Sequence, residues 1–157
     1  MTAADHSADH PIEATRIARL QPADRAEWGV LAKAYKRFYK TELPESHYDA
    51  AWARLVAGDG VFAWGAHRGG HLVGIVHYLF HANPWMADAC YLQDLYVDEA
   101  LRGQGVAAAL IEQVAQSARE RGAARLYWLT QEDNARARAL YDRVAQYRGF
   151  IRYDHPI

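Results

Sequence analysis

A strand-like segment, a turn with two glycines and a helix-like segment follow one another between Leu95 and Ala107. The backbone N–H groups in the first turn of a helix have no partner within that helix, and the helix dipole adds partial positive charge there. Gly103 and Gly105 carry no side chain that would keep an anion away from these N–H groups. The segment therefore predicts a site for a phosphate or pyrophosphate group. A plain strand-to-helix connection, tightened by its glycines, is the alternative at this point.

This turn differs from the two common nucleotide-binding signatures. A P-loop requires Gly-Lys followed by Ser or Thr, whereas Gly105 is followed by Val106 and Ala107. The dinucleotide fingerprint requires a third glycine three residues after the second, and this chain has Ala108 there. The first difference excludes a P-loop, and the second weakens the case for a dinucleotide site.

Composition and charge narrow the class of protein further. The 157 residues include 18 basic and 19 acidic side chains, so the net charge indicates neither a nucleic-acid partner nor a membrane partner. The single cysteine, Cys90, excludes an internal disulfide and fits a reducing compartment, so we expect a cytoplasmic protein. The histidines show no metal-ligand spacing, and we expect no metal. Residues 1–13 are polar and predict a flexible leader, followed by one domain at 14–157.

The hydrophobic pattern predicts an α/β fold with the element order β-α-α-β-β-β-α-β-α-β. Hairpin signals in the first half and strand–helix–strand units in the second imply one mixed, twisted sheet. We expect about six to seven strands flanked by about four helices. The last predicted elements are a strand at Leu126–Thr130, a helix at Asn134–Ala145 and a strand at Phe150–Tyr153.

A second motif lies downstream of the glycine turn. The pattern Asn-x-x-Ala-x-x-Leu-Tyr occupies residues 134–141, and Gly149-Phe150 follows it. Together with the Arg-x-x-Gly-x-Ala pattern at 102–107, these residues resemble the GNAT superfamily of N-acetyltransferases. The resemblance extends over nearly the whole chain, from about Thr15 to Tyr153, and the predicted element order agrees with that fold.

The resemblance implies that the chain transfers an acetyl group from acetyl-coenzyme A to an amine, with acetyl-coenzyme A as a cosubstrate. Backbone amides of the turn would hold the pyrophosphate, the strand backbone would pair with the pantetheine arm, and Asn134 would approach the arm from the other side. The coenzyme-binding residues that this implies are Leu95, Tyr96, Val97, Arg102, Gly103, Gln104, Gly105, Val106, Ala107, Asn134, Ala137 and Tyr141.

Tyr141 is the candidate general acid, because it stands where the superfamily places a tyrosine next to the sulfur. A tyrosine with an ordinary pKa of about 10 is protonated at neutral pH and can donate as the thiolate leaves. From periodicity alone Tyr141 would be a core residue, since Ala137, Leu140 and Val144 share its helical stripe.

The candidate general base lies in the strand before the glycine turn. Tyr91–Val97 resembles the strand of the spermidine/spermine and thialysine acetyltransferases, in which a glutamate occupies the position of Gln93. A glutamine cannot accept a proton at neutral pH. Asp94 is next in sequence, but strict alternation would place it on the other sheet face unless the strand is bulged. We therefore expect either a water relay from Asp94 or Gln93 to the amine, or a structural role in which Asp94 accepts hydrogen bonds.

The sequence indicates the identity of the acceptor amine less clearly than that of the acetyl donor. The amide at Gln93 is similar to the yeast histone-and-other-protein acetyltransferases, and the rest of the strand to the polyamine and thialysine enzymes. Tyr39, Glu42, Trp85 and Asp94 could hold a cationic amine by cation–π and charge contacts. A small amine (a polyamine, an amino acid or a lysine analogue), a protein lysine, and a coenzyme-binding sensor without turnover remain open. The superfamily and the many aromatic residues suggest a homodimer, and the long insert Asp142–Arg148 could shape its contact or the acceptor side.

Overall fold

The fold is described from a computed structural model, which places residues 13–157. The predicted leader at 1–13 therefore lies almost entirely outside the described residues. The strands are β1 (Arg16–Ala18), β2 (Phe62–Arg68), β3 (His71–His81), β4 (Ala89–Val97) and β5 (Arg125–Tyr127). The α-helices are α1 (Arg25–Phe38), α2 (Glu45–Ala57), α3 (Val106–Glu120) and α4 (Ala135–Val144).

The five strands form one mixed sheet in the order β1-β2-β3-β4-β5. The first four are antiparallel to their neighbours, and β5 runs parallel to β4 after the α3 crossover. The β2–β3 hairpin turns at Gly69 and Gly70, whose φ angles of 59° and 79° allow the two-residue turn that matches strand twist. The predicted α/β class with four helices is confirmed, with fewer strands than expected.

Helices cover the two faces of this sheet. On one face α1 and α2 enclose a buried cluster of Trp28, Leu31, Ala32, Tyr48, Leu72 and Ile75. On the other face α3 buries Val106, Leu110, Ile111, Val114 and Ala118 against the central strands. The apolar stripes that the sequence shows on α1 and α3 therefore bury the two sides of the sheet, as expected for amphipathic helices. No helix among residues 13–157 is long and apolar enough to cross a membrane.

The end of the chain differs from the prediction. Residues 145–157 form no helix or strand, so the final strand expected at Phe150–Tyr153 is wrong. An extended segment becomes a strand only where another strand supplies its hydrogen-bond partners. Phe150 and Tyr153 are instead 80% and 85% exposed. The preceding strand is also shorter than predicted, because β5 pairs with β4 only over Arg125–Tyr127.

Candidate active site

A β-bulge in β4 positions the acidic residue of the site. His77 on β3 pairs with Asp94, but the next residue, Tyr78, pairs with Leu92, so Gln93 is an extra residue in β4. As a result Leu92 joins the core under α3, whereas Asp94 lies on the α1 side. The alternation argument had allowed this placement only for a bulged strand. Gln93 itself is exposed.

Asp94 is a mostly buried carboxylate with several polar neighbours. Its Oδ2 accepts a hydrogen bond from His77 Nδ1 at 2.9 Å, and the Tyr35 hydroxyl from α1 lies beside it. Burial alone would raise the pKa of Asp94. The hydrogen bonds from His77 and Tyr35, together with the charge of Lys36, outweigh burial and hold this pKa below its ordinary value. Asp94 is therefore an anion that can attract a cationic amine.

Two tyrosines at the end of α1, Tyr35 and Tyr39, lie near this carboxylate, and Tyr141 lies near Tyr39. The rings of Tyr35 and Tyr39 meet edge to face with centroids 5.1 Å apart. Tyr141 on α4 packs against the ring of Trp128 at 5.3 Å. Burial, with a smaller effect of Tyr39, raises the pKa of Tyr141 to about 12. The hydroxyl thus keeps its proton at neutral pH, as a general acid requires.

The glycine turn has the geometry that the sequence predicts. Gly103 and Gly105 have φ angles of 76° and 82°, in the left-handed region that favours glycine. Gly105 is the N-cap of α3, and no side chain caps that helix. Among residues 13–157, no protein acceptor takes a hydrogen bond from the backbone N–H groups of 103–107. A phosphate group can therefore accept hydrogen bonds from them without displacing a protein partner.

The strand leading to this turn has an open edge. β5 pairs with β4 only at Ala89–Tyr91, so the edge of β4 from Leu92 to Val97 has no neighbouring strand among the described residues. Leu95, Tyr96 and Val97 lie on that edge, as the predicted pantetheine contact requires. Arg102 is held beside it, because its Nε donates to the carbonyl of Val97 at 3.3 Å.

Asn134 has a structural role in addition to the one predicted. It is the N-cap of α4: its side-chain oxygen accepts from the backbone N–H of Ala137, and its nitrogen donates to the Thr130 hydroxyl at 3.2 Å. This capping orients the helix that carries Tyr141. The coenzyme contacts of Asn134 and Ala137 stay predictions.

A cavity of about 260 Å³ opens between α1, α2 and the sheet. Its base is apolar and includes Trp28, Leu43 and Ile75, and its polar lining consists of Tyr35, Lys36, His47, Tyr48, Arg54, His77 and Asp94. The volume is slightly below the roughly 300–1,000 Å³ of drug-sized pockets and suits one small molecule. Its position over Asp94 makes it the candidate acceptor site.

The four predicted acceptor residues are not all brought together. Asp94 lines the cavity, and Tyr39 contacts Tyr35 at its edge. Glu42 instead borders a separate surface depression with Arg37, Lys40 and Thr41, and Trp85 is 89% exposed in the β3–β4 loop. Nothing in this geometry gives Glu42 or Trp85 a contact with the cavity. No group of three or more potential metal ligands occurs within residues 13–157.

Six polar residues of the cavity are not among the predicted site residues. They are Tyr35, Lys36, His47, Tyr48, Arg54 and His77. Tyr35 lies one helical turn before the predicted residue Tyr39 and therefore on the same side of α1. His77 stands alone in the apolar β3 segment, where a buried polar side chain requires a hydrogen-bond partner. That requirement was a usable signal for His77, whereas Lys36 and Arg54 gave none.

Comparison with known proteins agrees with this site. The acetyltransferase (GNAT) family matches residues 28–146. The chain is 37% identical over 134 residues to the D-amino-acid N-acetyltransferase HPA3 of Saccharomyces cerevisiae, covering 82% of this chain and 83% of that one. It is 35% identical over 77 residues to the thialysine N-epsilon-acetyltransferase of Bos taurus, covering 49% and 45% of the two chains.

Solved structures show the same fold. A ribosomal-protein-alanine N-acetyltransferase from Brucella melitensis matches with a TM-score of 0.76 and 28% identity, covering 92% of this chain and 99% of that one. An aminoglycoside acetyltransferase in complex with a coenzyme A bisubstrate analogue matches with a TM-score of 0.80 at 15% identity, covering 92% and 99%. The fold and the family match define an acyltransferase. The chain belongs to the GNAT acetyltransferase family.

Proposed function

We propose that this chain transfers the acetyl group of acetyl-coenzyme A to the amino group of an amino acid, by direct transfer in a ternary complex. The observation that carries the proposal is the pairing of opposite charges in one small cavity. Asp94 supplies the anion at its sheet side, and Lys36 and Arg54 supply cations from α1 and α2. An amino acid carries a cationic ammonium group, which complements Asp94, and an anionic carboxylate, which complements Lys36 and Arg54.

The two cations are free to bind a carboxylate. Neither Lys36 nor Arg54 forms a salt bridge with any acidic side chain in the described part of the chain. Arg54 donates only to the carbonyl of Asp59, at 3.4 Å. Arg54 is exposed whereas Trp28 and Ile75 are buried, so its guanidinium stands at the open side of the cavity. A polyamine has no carboxylate and would be repelled by these charges.

The similar proteins support the same substrate class. One acts on D-amino acids by its name, and another acts on thialysine, which is itself an amino acid. Their acceptors share an amine and a carboxylate, which are the two groups that the cavity can bind.

The proposed chemistry assigns each proton. The amine nitrogen attacks the thioester carbonyl carbon, and the carbon–sulfur bond breaks. Tyr141 donates a proton to the departing thiolate, and its raised pKa keeps that proton available at neutral pH. Asp94 attracts the ammonium form of the acceptor and takes its first proton, through water or the Tyr35 hydroxyl, which leaves the neutral amine that attacks. The second proton, lost by the nitrogen after the attack, returns through solvent to Tyr141 and replaces the one given to the thiolate.

The turn and strand edge support acetyl-coenzyme A as the donor. Pyrophosphate would accept from the free N–H groups of 103–107, where Gly103 and Gly105 leave the approach open. The unpaired edge at Leu95–Val97 offers backbone hydrogen bonds to the amide groups of the pantetheine arm.

The test compares acceptors that differ in one group. D- and L-leucine, each with its methyl ester, are assayed with thialysine, spermidine and a histone-tail peptide, and products are identified by mass spectrometry. We expect the free acids to have a kcat/KM roughly 10- to 100-fold above their esters, since a charge-assisted hydrogen bond contributes about 1.5–3 kcal/mol. Equal rates for acid and ester, or a preference for spermidine, would refute carboxylate recognition. Acetylation of the peptide alone would identify a protein acetyltransferase instead.

Substitutions of the cavity residues test whether the preference for the free acid over the ester arises in the cavity. Arg54→Ala and Lys36→Ala should reduce the ratio between acid and ester. Arg119→Ala, an exposed arginine on the opposite face of the sheet, is the matched control and should leave the ratio unchanged. Calorimetric binding of coenzyme A without amine-dependent thiol release would show a coenzyme-binding module without turnover.

We also propose that the chain forms a homodimer through its C-terminal segment. Tyr147, Phe150, Ile151 and Tyr153 are each at least 68% exposed in the single chain. Such a concentration of exposed apolar side chains marks an association surface. Light scattering should give the dimer mass for the wild type and the monomer mass for a Phe150→Ser, Ile151→Ser double variant; a wild-type monomer would contradict this.

A further inference from the structure

A chain of two buried hydrogen bonds extends from Asp94 into the core. His77 Nδ1 lies 2.9 Å from Asp94 Oδ2, and the indole nitrogen of Trp28 lies 3.0 Å from His77 Nε2. Trp28 and His77 are only 1% and 9% exposed. The bulge at Gln93 is what brings Asp94 opposite His77. These two hydrogen bonds thus join α1, β3 and β4.

The chemistry of the side chains determines the direction of each bond. An indole N–H can only donate, so His77 Nε2 must be the acceptor. The ring proton is therefore on Nδ1, and it is donated to the Asp94 carboxylate. A second proton on Nε2 would point at the N–H of Trp28, with no acceptor between them.

We propose that Trp28 and His77 are positioning residues that hold Asp94 as an oriented carboxylate for the acceptor amine. The proposal rests on the function proposed above. Because Trp28 occupies the second nitrogen of His77, the imidazole acts as a fixed donor and does not relay the proton of the amine. The proton that Asp94 receives leaves toward the cavity, where the Tyr35 hydroxyl and solvent can accept it.

Several other polar groups surround Asp94 and His77. Those that face Asp94 or line the cavity with it are Tyr35, Lys36 and Tyr39 from α1 and its end, His47, Tyr48 and Arg54 from α2, and Tyr91 from β4. Only His77 makes a hydrogen bond to Asp94 that is itself anchored at its far end by a core residue. Tyr35 and Lys36 act on Asp94 from α1, whereas His77 acts on it from the neighbouring strand β3.

The first test separates the effect of the hydrogen-bond donor of His77 from the effect of its side-chain volume. In Asn, the amide nitrogen takes the place of Nδ1, so His77→Asn keeps a donor for Asp94, whereas His77→Leu removes it. The Asp94 carboxyl is followed by carbon-13 NMR titration of the chain alone, and the acid limb of the kcat/KM profile is recorded in parallel. We expect His77→Leu to move both toward higher pH by about one unit or more, and His77→Asn to restore them. Equal shifts in the two variants, or none, would overturn the proposal.

The second test removes the N–H of Trp28. Trp28→Phe keeps an aromatic ring but leaves His77 Nε2 without a donor. Nitrogen-15 NMR at pH 7 should show the wild-type ring as the Nδ1–H tautomer, with Nε2 accepting a hydrogen bond. In the variant the Nε2 signal should lose the signature of an accepted hydrogen bond, with a matching loss of kcat/KM. Trp52→Phe is the matched control, because Trp52 packs on Trp28 with ring centroids 5.2 Å apart and should leave the tautomer unchanged. A wild-type His77 that carries its ring proton on Nε2 would overturn the proposal.

The NMR measurements need no substrate, so the two proposals can fail separately. If the tautomer and the Asp94 titration respond as expected but no amine is acetylated, the hydrogen-bond chain stands and the proposed function fails. If amino acids are acetylated but the NMR signals do not respond, the function stands and the positioning roles of Trp28 and His77 are refuted.

Discussion

The substitution Gly105→Trp tests whether the glycine turn holds the coenzyme. Gly105 has a φ of 82°, and no atom lies within 4 Å of the position a Cβ would take. A side chain there meets no steric clash, but any residue other than glycine pays about 1–2 kcal/mol for the left-handed conformation. For a domain of this size that corresponds to a fall in Tm of about 2–8 °C. The variant should therefore fold.

Coenzyme binding should be lost, because the indole would stand over the free N–H groups of 103–107. A charge-assisted hydrogen bond contributes about 1.5–3 kcal/mol, so losing two of them weakens binding by about 100-fold or more. Calorimetry with coenzyme A measures the affinity, and circular dichroism measures the Tm. An affinity within a few-fold of the wild type would refute the pyrophosphate site.

Gly122 provides the matched control for backbone strain. It has a φ of 72°, and again no atom lies within 4 Å of its Cβ position. It follows α3 and lies 17 residues after Gly105, which corresponds to about 25 Å along the helix axis. Gly122→Trp should lower the Tm by a similar amount and leave the coenzyme affinity unchanged. If Gly122→Trp lost affinity equally, the effect at Gly105 would be one of stability alone.

Three further predictions concern titratable side chains. Tyr141→Phe should lower kcat by roughly 10²- to 10⁴-fold with an unchanged coenzyme Kd, which steady-state kinetics and calorimetry would check. Asp94 has a pKa below its ordinary value in the fold, so its ionised form stabilises the protein above about pH 4 and this contribution is lost as pH falls. Urea unfolding from pH 3 to 7 should therefore show a weaker pH dependence for Asp94→Asn than for the wild type; identical slopes would count against it. Burial raises the pKa of the Cys90 thiol to about 11, so it should resist Ellman's reagent at pH 8 until guanidinium unfolds the chain.

The acceptor side of the site depended on contacts that sequence patterns do not encode. His77 is 17 residues from Asp94 and 49 from Trp28 along the chain, and the pair meets only because β4 has an extra residue at Gln93. A bulge of this kind is set by the pairing of two strands, so periodicity within one strand could name it only as a possibility. Lys36 and Arg54 come together through the packing of α1 and α2, which neither helix pattern specifies.

The C-terminal segment shows the same limit. Phe150–Tyr153 has the composition of a strand, but a strand requires a partner with free backbone groups beside it. The preceding residues do not bring the segment into register with β5, so it stays unpaired in the single chain. The composition of the segment favours an extended conformation, but the tertiary structure places no partner strand beside it.

The glycine turn, in contrast, was determined by the sequence itself. The positive φ angles of Gly103 and Gly105 and the free N–H groups at the start of α3 depend on a few consecutive residues, so the motif specifies them locally. The alternating and helical hydrophobic patterns likewise determined the α/β class, because each element must bury one face. Only the tertiary structure decided which charges share the cavity with Asp94, since a cavity is formed by side chains from elements that are distant in sequence.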